Sequence, residues 1–170
     1  PNYLCLNPKL LWSKKYISSS SLLWHLFEKR VKNFAWALVV GDAGDLCITD
    51  SPKLYSYVSR QWQEFLPSPK FEDVFYSPAY SASTALYEAY RFGKVHYSYD
   101  LLVRALREDN PFLLLEDKFL SKLLKRREKV CADFYYRNFS KFYYSKKAPV
   151  VAFKVPKNVA GTFSLWLSLK

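Results

Sequence analysis

FAWALVVGDAGDLCIT, residues 34–49, is the stretch on which the fold class turns. Two short apolar runs, Phe34 to Val40 and Leu46 to Thr49, flank GDAGD. Its glycines, Gly41 and Gly44, can take the positive φ values that a tight reversal demands. The pattern predicts a β-hairpin over 34–49. A second hairpin is expected at 149–169, where Val151, Phe153 and Val155 precede PKNVAG and Phe163, Leu165, Leu167 and Leu169 follow it in strict alternation. Two hairpins in one chain imply an α+β fold, an antiparallel sheet packed with about five helices.

The helices are read from caps and apolar spacing. Ser18 to Ser21 offer an N-cap for SLLWHLFEKRVKNF, whose Leu22, Leu23, Leu26, Phe27 and Val31 make one apolar face. Asp50-Ser51-Pro52 opens a helix that keeps its period through Leu54, Tyr57, Val58, Trp62 and Phe65 until Pro67. PSPKFEDVFYSP reads as a proline-punctuated loop. Pro78 to Phe92 reads as a helix closed by Gly93, and Ser98 to Glu108 as a shorter one ended by Asn110-Pro111. Residues 1–18 show no sustained period and are expected to form an extended arm, leaving 19–170 as a single domain.

The last helix carries the charge. Residues 116–147, EDKFLSKLLKRREKVCADFYYRNFSKFYYSKK, contain no Gly or Pro and repeat apolar residues at helical spacing. Unbroken, this helix would run roughly 45 Å. From residue 118 onwards, Lys118, Lys122, Lys125, Arg126, Arg127, Lys129, Arg137, Lys141, Lys146 and Lys147 face only Glu128 and Asp133, so residues 118–147 hold +8 of a formal net charge of +11. A solvated helix normally mixes its signs so that i,i+4 pairs form. Residues 1–34 are also basic, whereas 35–117 carry seven cations and twelve anions.

Composition narrows the class further. Half of the 170 residues are apolar and 19% are aromatic, enough for a real core with rings left over for a partner. Cys5, Cys47 and Cys131 are too few and too scattered for a disulfide framework, which points to an intracellular protein. No apolar run approaches a membrane span, so a membrane is not expected among its partners. Four glycines leave no P-loop or dinucleotide fingerprint, and no two Cys or His residues have zinc-ligand spacing. No cofactor and no metal are expected.

Four local patterns bear on catalysis or binding. Gly41-Asp42-Ala43-Gly44 matches the GxxG clamp of KH domains, but it is flanked by Asp45 and reads as joining strands rather than helices. Asp42, Asp45 and Asp50 could hold a divalent ion for phosphodiester cleavage only if they converge. Cys47 with His96 has the residue types of a cysteine protease of the OTU kind, yet Cys47 reads as a core residue in a strand. Tyr143 to Lys146 and Tyr144 to Lys147 resemble the Tyr-x-x-Lys of rolling-circle nicking proteins, without the His-x-His pair that chemistry needs.

These features point away from an enzyme and towards a binding subunit. The expected function is nucleic-acid binding, RNA more than DNA, by a structural or scaffolding component of a larger assembly such as a ribonucleoprotein or virion. Its interface would comprise Lys14, Lys15, the ten cations of the basic helix, and Tyr136 and Tyr144 as stacking rings. The alternatives are a subunit that docks an acidic protein and a metal- or tyrosine-dependent nuclease.

Overall fold

A computed structural model of the chain describes residues 17–138, 143–144 and 151–152, and it is helical. The chain divides into two compact units, residues 1–121 and 122–170. The first holds α1 (Ser19–Val31), α2 (Ala35–Gly44), α3 (Pro52–Gln61), α4 (Phe71–Val74), α5 (Pro78–Arg91), α6 (Val95–Arg107) and α7 (Leu113–Glu116). The longest helix, α8 (Lys118–Asn138), begins in the last residues of the first unit.

The expected hairpin at 34–49 is a helix, and it is the centre of the first unit. Ala35, Trp36, Val39, Val40, Asp42 and Ala43 are all buried, a recurrence that fits a helix with neighbours on several sides. α1, α3 and α5 pack against α2. A continuous apolar run cannot by itself separate a buried strand from a buried helix. The two glycines decide nothing about a turn. They allow close packing, because a Cβ on Gly41 would meet Ser20 Oγ at 2.4 Å and one on Gly44 would meet Ser83 Oγ at 2.6 Å. The reversal comes two residues after Gly44, at Leu46, whose φ is 57°.

Three helices end in the same way. After α2, α5 and α6 a residue in the left-handed region, Leu46, Gly93 or Asp109, follows the C-cap. The next amide then reaches back five residues: Cys47 to Asp42, Lys94 to Ala89, and Asn110 to Ala105, each at 2.9–3.0 Å. This is the Schellman closure, and only one of the three uses glycine. The starts follow the expected chemistry. Ser18 Oγ accepts from Ser21 N, Ser77 Oγ accepts from Tyr80 N, and Pro52 and Pro78 stand in the first turns of α3 and α5.

The core is aromatic at its middle. Trp36 and Phe65 are fully buried and meet edge to face at 6.2 Å, and Phe65 meets Phe112 in the same manner at 5.5 Å. Two short helices, α4 and α7, occupy stretches without a sequence period long enough to show them. α1 kinks at Phe27.

In the second unit α8 stops at Asn138, whose side-chain amide donates to the Phe134 carbonyl, so the helix spans about 32 Å rather than 45 Å. Tyr143–Tyr144, expected within that helix, instead pairs antiparallel with Val151–Ala152, Tyr143 opposite Ala152 and Tyr144 opposite Val151. Two residues a side offer no face for helices to cover. Among the described residues there is no sheet of two hairpins, and the α+β expectation is overturned. The remainder of the 149–169 hairpin and the arm through residue 16 lie outside the described residues.

Candidate nucleic-acid interface

The exposed side of α8 follows from its spacing. Lys118, Lys122, Lys125, Arg126, Lys129, Tyr136 and Arg137 fall within about 120° of the helix circumference, and all are exposed. Leu120, Leu123 and Cys131 are buried on the other side. The stripe is about 29 Å long. Arg127 stands apart, turned towards the apolar side and only partly exposed. Lys118, Lys122, Lys125, Lys129 and Arg137 make no ion pair with any described residue. Tyr136, 78% exposed beside Arg137, presents its ring to solvent.

The helix is anchored at its start. Asp117 Oδ1 accepts the Leu120 amide at 2.9 Å as an N-cap, and Asp117 Oδ2 accepts the Tyr97 hydroxyl from α6. That bond raises the Tyr97 pKa, because ionising the phenol would set it against the carboxylate. Lys14, Lys15, Lys141, Lys146 and Lys147 and the side chain of Tyr144 lie outside the described residues. Charge divides sharply between the two units. Residues 1–121 hold fourteen cations against thirteen anions, and residues 122–170 hold twelve against two.

The catalytic candidates do not assemble. Asp42 is fully buried in α2, where Ser18 Oγ and Ser21 Oγ donate to its Oδ1, and Ser51 Oγ donates to Ser21 Oγ at 2.7 Å. Burial raises its pKa and outweighs the hydroxyls that lower it. Asp42, Asp45 and Asp50 form no metal-holding group, nor do any three such residues among those described. Cys47 lies after the α2 closure rather than in a strand, and its Sγ donates to the Asp45 carbonyl at 3.4 Å. Burial and the carboxylates of Asp42, Asp50 and Asp45 push its thiol up to about 11, the wrong direction for a nucleophile. The GxxG match is helix, so it cannot form the loop of a backbone clamp.

One feature escaped the sequence reading. A groove of about 360 Å³ opens between α1 and α3, lined by Trp24, Glu28 and Lys32 on one side and by Pro52, Lys53, Ser56, Tyr57 and Arg60 on the other. Tyr57 packs between Trp24 and Trp62 at 5.6 and 6.3 Å, and Lys32 Nζ stands over its ring at 5.5 Å. No local motif marks this site, because its two walls come from separate helices. Among the described residues, no helix is long and apolar enough to cross a membrane. Comparison with family models, curated proteins and solved structures finds no match for this chain.

Proposed function

We propose that the chain is a nucleic-acid-binding structural subunit of a larger intracellular assembly, with RNA preferred over DNA. The observation that carries this reading is the exposed stripe of α8, a row of cations broken only by Asp133 on the same side. Lysine and arginine in such a row neutralise phosphates and release counterions, which gives affinity with little sequence readout. Exposed Tyr136, next to Arg137, supplies a face on which an unpaired base can stack, and this favours single-stranded RNA over a duplex. The reading needs no catalytic step.

The test is binding of fluorescent single- and double-stranded RNA and DNA across a salt series, with the oligomers run on a gel afterwards. In a variant with Lys122, Lys125, Arg126 and Lys129 replaced by Gln, the log–log salt slope for a single strand should fall by about 0.7 per lost phosphate contact. The thermal midpoint should hold, since all four side chains are exposed. Arg127 is left in place because it is partly buried. Absence of binding at low salt would reject the reading and direct attention to acidic proteins, while shortened oligomers would indicate a nuclease.

A further inference from the structure

We infer that the groove between α1 and α3 is a second binding site, one that takes a single nucleotide of an unpaired strand, its phosphate on Lys53 and Arg60 and its base on the ring of Tyr57. The site extends the proposed nucleic-acid function into residues 1–121, yet none of its lining residues belongs to α8. Its volume, about 360 Å³, is at the small end of the range for small-molecule sites, suited to one nucleotide.

The lining supplies the three chemistries a nucleotide asks for. Lys53 and Arg60 stand on the α3 wall, both exposed, and neither makes an ion pair with a described residue. The Arg60 Nε donates to the Ser56 carbonyl at 3.2 Å, which holds the guanidinium beside the groove with its terminal nitrogens available for a phosphate. Tyr57 lines the groove, Lys32 stands over its ring, and ring contacts with Trp24 and Trp62 hold it in place. A base arriving on that face takes the position of the Lys32 ammonium. Glu28, 4.0 Å from Lys32 and half exposed, is the acceptor for a base amino group or a ribose hydroxyl. A bare anion site has no use for a carboxylate in its wall. A nucleotide, anionic at one end and a hydrogen-bond donor at the other, matches both signs.

The test uses the full chain and uridine monophosphate as the probe, with inorganic phosphate in parallel, followed by amide shifts in two-dimensional NMR. The nucleotide should shift residues around Lys53, Tyr57 and Arg60 and bind more tightly than phosphate. Lys53→Gln with Arg60→Gln should weaken it by about tenfold or more, as expected when charge-assisted hydrogen bonds are lost. Lys125→Gln with Lys129→Gln should leave this binding unchanged while weakening that of long strands. This separates failure of the groove from failure of the α8 interface. Equal binding of phosphate and nucleotide would reduce the groove to an anion site and overturn the inference. Shifts confined to α8, or no shifts at millimolar nucleotide, would overturn it too. Should Tyr57→Leu lower the thermal midpoint through its ring contacts, the charge-neutral pair on α3 still decides the matter.

Discussion

Asp42 is the residue whose surroundings most oppose its charge. Its Oδ1 receives two serine hydroxyls, and the buried Tyr55 hydroxyl beside the carboxylate also favours the charged form, yet burial outweighs all three. A proton on Oδ2 would let it donate to Tyr55, and burial together with the Asp42 charge raises the Tyr55 pKa, so the phenol keeps its own proton. Because the folded carboxyl titrates above its ordinary 3.8, the folded state keeps a proton that the unfolded chain has already released. Stability from this group is therefore complete below about pH 3.8 and is lost as pH rises through the folded pKa. Asp42→Asn keeps the acceptor for Ser18 and Ser21 and adds a donor for Tyr55. Urea unfolding across pH 4 to 8 should show it as stable as the native chain or more so at neutral pH, with a smaller fall of stability towards alkaline pH. Asp42→Ala should instead cost about 1–3 kcal/mol for each hydroxyl it leaves unpaired. Leu46 offers a test of a different kind. A non-glycine at φ 57° pays a backbone cost, and the side chain is 49% exposed, so Leu46→Gly should raise stability by about 0.5–1 kcal/mol in the same assay.

At the scale of the element, α2 and α8 show opposite relations between pattern and outcome. α2 is helical because three neighbours bury it, and its glycines serve those contacts. Gly44→Ala should therefore destabilise by about 1 kcal/mol as its methyl presses on Ser83 Oγ, and the loss should be recovered in a Ser83→Ala background. A turn at Gly44 would give no such coupling between the two positions, so a double-mutant cycle distinguishes the two local structures. α8 has a plain amphipathic pattern and a cap, and its start was legible in the sequence. Asp117→Ala should cost about 1 kcal/mol through the lost bond to Leu120 N, with Asp117→Asn close to native. Its far end was not legible, since FYYRNFSKFYY keeps the apolar spacing as far as Tyr143 and Tyr144, which are strand. Aromatic residues fit helix and strand alike, and nothing in the local pattern marks the change.

For the whole molecule the deciding quantity is the distribution of charge. Residues 1–121 are nearly neutral and residues 122–170 carry +10, so self-repulsion is concentrated in the second stretch. A bound polyanion relieves it. With single-stranded RNA present at about 100 times its dissociation constant, apparent stability should rise by about 2.7 kcal/mol. The gain should shrink in high salt, as calorimetry with and without RNA would reveal; a gain insensitive to salt would contradict phosphate contacts as its source.

The sequence by itself determined the features that depend on neighbours along the chain. Ser18 and Ser77 as caps, Pro52 and Pro78 in first turns, Gly93 beyond α5 and the basic stripe of α8 all rest on contacts within a turn or two of helix. Only the tertiary structure decided what depends on residues far apart. Phe34 to Val40 became helix because α1, α3 and α5 pack against it, and a run in which every residue is apolar shows no period, although Phe34 itself is half exposed. The groove arose for a related reason: Lys53, Tyr57 and Arg60 acquire a partner wall only when α1 brings Trp24, Glu28 and Lys32 beside them.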